Sequence, residues 1–178
     1  MSRTHKYINI YINKMATEKQ MEKLQNQVRE TYYKAYADAL EKELNEDKFD
    51  WVCNLHREIV IRLCKIVPRR TDIHDKIAEN MDPIIFRQML ENKCFKPEDF
   101  VKLVTYVFDW IKKLCSPARD KEVEASLQEL FESMKKGSTL GLLVPQFIFA
   151  VHHQLDLIDE DMGSDKSVEL KKLLERKK

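Results

Sequence analysis

Three times in this chain a polar residue stands directly before a proline that opens an apolar stripe: Asp82-Pro83, Lys96-Pro97 and Ser116-Pro117. Proline at the first helical position gives up an N–H that has no intrahelical acceptor anyway, and its fixed φ is already helical. The residues behind each start keep helical period. They are Ile84, Ile85, Phe86, Met89 and Leu90, then Phe100, Leu103, Val104, Val107, Phe108, Ile111 and Leu114, then Val123, Leu127, Leu130, Phe131 and Met134. Hairpins have little to be built from, because the whole chain holds 3 glycines and 5 prolines among 34% charged residues. That is the composition of helices with one wet face, and it predicts an all-α fold.

The remaining segments extend the pattern. Thr17 is placed to cap a long helix with Met21, Leu24, Val28, Tyr32, Ala35 and Ala39 in register to about Leu44. Asp50 is placed to cap a second, striped by Val52, Leu55, Ile59, Leu63 and Ile66 and stopped by Pro68. Thr71 or Asp72 serves a short helix carrying Ile73, Ile77 and Ala78, and Gly137 offers a left-handed C-cap. Leu140 to Ile158 is the most apolar stretch and reads as the central helix, with Pro145 marking its regular start or a kink. Residues 1–16 alternate Tyr7, Ile8, Ile10, Tyr11 and Ile12 in a β-like way without a pairing segment, so they are expected as a disordered leader. Residues 162–178 are expected as the end of an acidic loop over Asp159–Asp165 and a basic tail with Lys171, Lys172, Arg176, Lys177 and Lys178, in which Ser167 to Lys178 can form a short helix. Short connections make residues 17–161 a single irregular antiparallel helical bundle of about six to seven helices.

Lys+Arg and Asp+Glu number 31 and 30, so no global field draws the chain to nucleic acid. No apolar run approaches the roughly 20 residues that span a bilayer, and no secretory signal opens the chain, which points to a cytoplasmic protein. Cys53, Cys64, Cys94 and Cys115 lack Cys-x-x-Cys spacing and are expected as buried, reduced thiols.

Catalytic and metal signatures are missing from the sequence. Gly137, Gly141 and Gly163 are too sparse to cradle a phosphate. His152 and His153 would project about 100° apart on a helix and cannot share a metal, while His56 and His74 have no acid or thiol at a fixed spacing. Of the acidic clusters Glu41-Glu43-Glu46-Asp47 and Asp156-Asp159-Glu160-Asp161, the second lacks an EF-hand loop and both read as solvated faces. A protein without enzymatic activity, metal or cofactor is expected. Two polar corners stand out instead. At Ser116, Pro117, Arg119 and Asp120 a guanidinium beside a helix start can grip a carboxylate or phosphate, or can pair internally and hold the corner. Lys65, Arg69 and Arg70 form a basic turn able to meet a phosphopeptide or acidic helix, or simply solvated charge.

The segment Leu114-Cys115-Ser116-Pro117-Ala118-Arg119-Asp120-Lys121-Glu122-Val123 resembles the Cys-Ala-Pro-x-Arg-Asp junction of the T-complex protein 11 family, with Ser116 where the family has alanine. Three further segments resemble the family in the same order. They are Leu63 to Asp72 with Ile77 and Met81-Asp82, then Arg87 to Asn92, then Leu155 to Asp159, so that the likeness runs from about Trp51 to Asp161. The chain looks like a compact, C-terminally short member. The resemblance implies an adaptor or regulator of intracellular signal transduction, linked to cyclic-AMP-dependent pathways and acting through protein partners. The alternative reading is a viral or microbial host-interaction protein that captures an amphipathic partner helix in a bundle groove.

Overall fold

The computed structural model describes residues 3–175, and the described residues form helices and no strand. Seven α-helices follow in order: α1 (Arg3–Asn45), α2 (Asp50–Ile66), α3 (Thr71–Asn80), α4 (Pro83–Glu91), α5 (Pro97–Leu114), α6 (Asp120–Lys135) and α7 (Leu140–Glu175), with a 3-10 turn at Pro117–Arg119 before α6. The chain divides into two units, Met1–Ala39 and Leu40–Lys178.

The first unit is helix throughout its described length. The segment expected as a disordered leader lies in α1 from Arg3 onward, and Thr17 is inside that helix and does not cap it. Without a pairing strand the alternating residues have no ladder to join, whereas a helix satisfies their backbone groups within the segment. Met21, Leu24, Val28 and Tyr32 are exposed, and the Tyr32 and Tyr36 rings stack at 6.0 Å.

In the second unit α7 packs against α2, α5 and α6, and α2 also meets α3 and α4. The central position expected for the Leu140–Ile158 stretch follows from its composition: Leu143, Val144, Phe147, Ile148, Val151, Leu155 and Ile158 are all buried. They meet Phe100, Val104, Val107, Phe108 and Ile111 of α5, whose Phe100 ring stands edge-on to Phe147 at 5.9 Å. Gln154, buried among them, donates to Ser126 Oγ of α6 at 3.1 Å.

Two of the three proline starts behave as the sequence predicts, whereas Pro117 opens a 3-10 turn and α6 begins only at Asp120. Asp82 Oδ1 accepts from Ile84 N at 2.7 Å and Ile85 N at 3.4 Å ahead of Pro83, and Asp99 Oδ2 accepts from Lys96 N at 3.1 Å. Other caps differ. Asp50 is the first residue of α2 rather than its cap, and its carboxylate pairs with Arg87 of α4. Neither Thr71 nor Asp72 caps α3, because Asp72 is held by Arg70 through two parallel hydrogen bonds of 2.8 and 2.7 Å. Pro145 lies inside α7, five residues after its first residue, and is not its start.

The expected acidic loop over Asp159–Asp165 is helical as well, since α7 continues to Glu175. The reason is tertiary. Arg62 of α2 donates to Asp156 at 2.7 Å and Asp159 at 2.8 Å, and Arg119 reaches Asp161, so the carboxylates that would repel one another along α7 are neutralised from neighbouring elements. The basic residues Arg176, Lys177 and Lys178 lie outside the described residues.

Gly137 closes α6 at φ +81°, with Gly137 N donating to Met134 O at 2.9 Å and Ser138 N to Ser133 O at 3.3 Å. A Cβ there meets no atom within 4 Å, so the left-handed backbone alone opposes substitution. Gly137→Ala is expected to cost about 1 kcal/mol, read as a lower urea midpoint at unchanged slope. A midpoint equal to wild type would contradict the assignment.

Candidate functional site

The two polar corners marked by the sequence are taken up locally. Arg119 sits at the 3-10 turn, its side chain 27% exposed, donating to Asp161 through Nε at 3.2 Å and Nη2 at 3.0 Å and to Glu122 Oε2 at 3.2 Å. The hydrogen bonds to Asp161, then to Glu122, push its already high pKa further up, and Asp161 is held below the usual carboxylate range by Arg119. Ser116 provides no capping hydrogen bond. Pro117 opens the turn, and the Cys115 thiol lies 3.8 Å from Asp120 Oδ1. At the other corner Arg70 is paired with Asp72, while Lys65 and Arg69 are exposed. The structure therefore brings Arg119 together with acids of α6 and α7 and does not bring the two corners together into one cation cluster. Arg119→Ala and Asp161→Ala are expected to lower Tm non-additively, because they break the same pair. A double-mutant cycle showing simple additivity would contradict the clamp.

Arg62 escaped the sequence reading although it is the deeper guanidinium, with its side chain 17% exposed. Besides Asp156 and Asp159 it approaches His152 Nδ1 at 3.2 Å. Burial disfavours its charge, but the two carboxylates outweigh that and hold its pKa above the ordinary value. Burial pushes His152 down, with Arg62 acting in the same direction. These contacts link α2 to α7.

An apolar feature able to receive another molecule lies elsewhere in the second unit. A groove of about 420 Å³ runs between the ends of α3 and α4 and the start of α5. Its floor is apolar: Met81, Phe86, Met89, Phe95 and Leu103, with Ile85 on the wall. Ile84 and Ile85 follow the Asp82-Pro83 start and are 66% and 52% exposed, so the first turn of α4 turns large apolar side chains to solvent. Glu79, Asp82, Asp99 and Lys102 supply the charge, and Tyr106 is anchored by its hydroxyl donating to Lys76 O at 2.9 Å.

His56 of α2 closes the deep side of this groove. It is 1% exposed, its Nε2 lies 3.2 Å from Met81 O, and its ring stacks on Phe86 at 4.2 Å, with Phe95 edge-on to Phe86 at 5.5 Å. A carbonyl partner assigns the proton to Nε2 and leaves Nδ1 as an acceptor. That Nδ1 is buried without a hydrogen-bond partner. Burial pushes the imidazole pKa down to about 4, against the weaker pull of the Met81 carbonyl and the Asp82 charge. The ring is thus a neutral, half-apolar lining element near pH 7.

Of the cysteines, Cys53 is buried, Cys64 and Cys115 are half-buried, and Cys94 is exposed, so burial is not common to all four; Cys94 follows the end of α4 in a polar loop. All are free thiols, and burial raises the pKa of Cys53, Cys64 and Cys115. Among the described residues no three His, Cys, Asp or Glu side chains are grouped to hold a metal ion, and no helix is long and apolar enough to cross a membrane.

With the junction at Cys115 to Asp120 and the helical order in place, comparison with known proteins assigns the lineage. The profile of T-complex protein 11 matches residues 8–163. The chain belongs to the T-complex protein 11 family. The human T-complex protein 11 homolog is 29% identical over 106 residues, an alignment that takes in 57% of this chain and 20% of that protein. The chain therefore spans about a fifth of the length of that relative. No solved structure matches it. The family match begins well before the Trp51 at which motif resemblance begins, and so includes most of α1.

Sequence reasoning saw the groove residues only as helix stripes. Ile84 and Ile85 have the same apolar character as the buried Ile73 and Ile77, and nothing in the α4 sequence says which of them lacks a neighbour. The available signal was crowding: five large apolar residues among the eight positions from Ile84 to Glu91 exceed what one buried stripe of so short a helix needs.

Proposed function

We propose that this T-complex protein 11 family member is a non-enzymatic interaction module of intracellular signalling that docks a partner protein in the groove at the ends of α3 and α4. The observation that carries the reading is the groove itself. A volume of about 420 Å³ with an apolar floor and the exposed Ile85 in its lining is a surface that gains stability when covered. A charge-reading adaptor has less support, because Arg119 and Arg70 already hold carboxylates of their own chain. The signalling role, with its link to cyclic-AMP-dependent kinase, rests on the family resemblance.

Cross-linked affinity capture from cell extract tests this reading. A specific partner should be recovered by the wild-type chain, lost with Ile85→Asp and kept with Arg69→Glu and Arg70→Glu. Loss with the arginine variants alone would transfer docking to the basic corner. Recovery of a regulatory or catalytic subunit of the cyclic-AMP-dependent kinase supports the kinase link, and a partner set without either removes that link.

A further inference from the structure

We infer that the groove between α3, α4 and α5 takes a basic amphipathic helix, a segment with bulky apolar anchors on one face and Lys or Arg on its flanks. The inference rests on the docking reading above and adds the partner's chemistry. Three observations lead to it.

The floor is formed by Met81, Phe86, Met89 and Phe95. Two of these are unbranched thioethers that adapt to anchors of different shape. A cavity of roughly 150 Å³ holds one benzene-sized group, so about 420 Å³ admits two or three anchor side chains. Secondary structure then selects the form of the occupant. Every described element at the groove is helical, and there is no strand edge to which an extended peptide could add. Affinity must come from side chains, and a helix presents them at i, i+3 or i+4 and i+7.

Charge selects the flanks. Glu79, Asp82 and Asp99 line the groove against the cation Lys102, whose Nζ lies 4.0 Å from Asp99 Oδ1 of its own helix. Asp82 is fixed at the edge by the two backbone N–H groups it caps. An acidic segment laid here would bring like charges together, whereas Lys or Arg flanks pair with the carboxylates and steer the encounter.

The test uses the full chain and two fluorescein-labelled peptides about 18 residues, or five helical turns, long. They share one Leu/Phe face and differ only in Lys/Arg or Glu/Asp flanks, and anisotropy is read at low and high salt. The basic peptide should bind roughly ten-fold tighter at low salt, two to three favourable pairs each contributing a small factor. The gap should narrow at about 0.5 M salt. Glu79→Lys should reduce the preference several-fold, and Ile85→Asp should abolish binding of both peptides while circular dichroism stays native. Equal or tighter binding of the acidic peptide overturns this inference and leaves the docking reading standing. Binding unaffected by Ile85→Asp, or no binding of either peptide, overturns both.

Discussion

Folding stability is expected to fall as the pH is lowered from about 6.5 toward 4, ahead of most carboxylate titration, because of His56. Its pKa is 6.5 as an unperturbed group and about 4 in the folded chain. In that window the unfolded ensemble binds a proton that the native state refuses, so stability rises with pH and is lost as pH falls. Below about 4 both states are protonated and the contribution no longer changes. At pH 5 the loss is on the order of 2 kcal/mol, a large part of the roughly 5–15 kcal/mol of an ordinary domain. His152 is shifted in the same direction, first by burial, and adds to the slope. Glu46, Glu132, Asp72 and Asp161 have lowered values instead, so their contribution persists above the ordinary carboxylate range and disappears only at more acid pH. Urea unfolding at about pH 7.5, 6 and 5 reads the effect. His56→Leu should flatten the dependence, and a slope identical to wild type would refute the assignment of a buried neutral ring.

Phe147→Ala is expected to destabilise the second unit by about 3–5 kcal/mol. The side chain is 1% exposed on α7, edge-on to Phe100, within the cluster that joins α7 to α5. Truncation removes the transfer free energy of the ring and leaves a cavity that three packed helices cannot close together. Ile84→Ala removes a smaller but equally apolar side chain at 66% exposure and should stay within roughly 0.5 kcal/mol. Thermal melts of the two variants decide between local hydrophobicity and burial as the controlling quantity. Similar losses of Tm would mean that the core assignment of α7 is wrong or that the first turn of α4 is buried.

The Phe147 and Ile84 pair also shows how much was legible beforehand. The helices could be read because their starts are local chemistry: Asp82 caps Ile84 and Ile85, Pro83 and Pro97 open α4 and α5, and Gly137 closes α6. The central helix could be read because apolar residues on most of its circumference leave no wet face. The groove could not, since exposure depends on which neighbour is absent. His56 is similar. Its sequence surroundings show no partner, and its altered titration comes from burial in the folded chain, beside Met81 and Phe86, 25 and 30 positions along the chain.

What the sequence determined by itself, then, is the all-α class, the placing of the proline starts of α4 and α5 and the family, all carried by contacts within a few residues or by motifs in order. What only the tertiary structure decided is where an acidic run stays helical, which isoleucines face water and which histidine is buried. Arg62 and Arg119 reach Asp156, Asp159 and Asp161 from other elements and cancel a repulsion that the local sequence presents as a break. Periodicity is a property of one helix, whereas burial and charge compensation belong to the pair, and the pair exists only once the chain has folded.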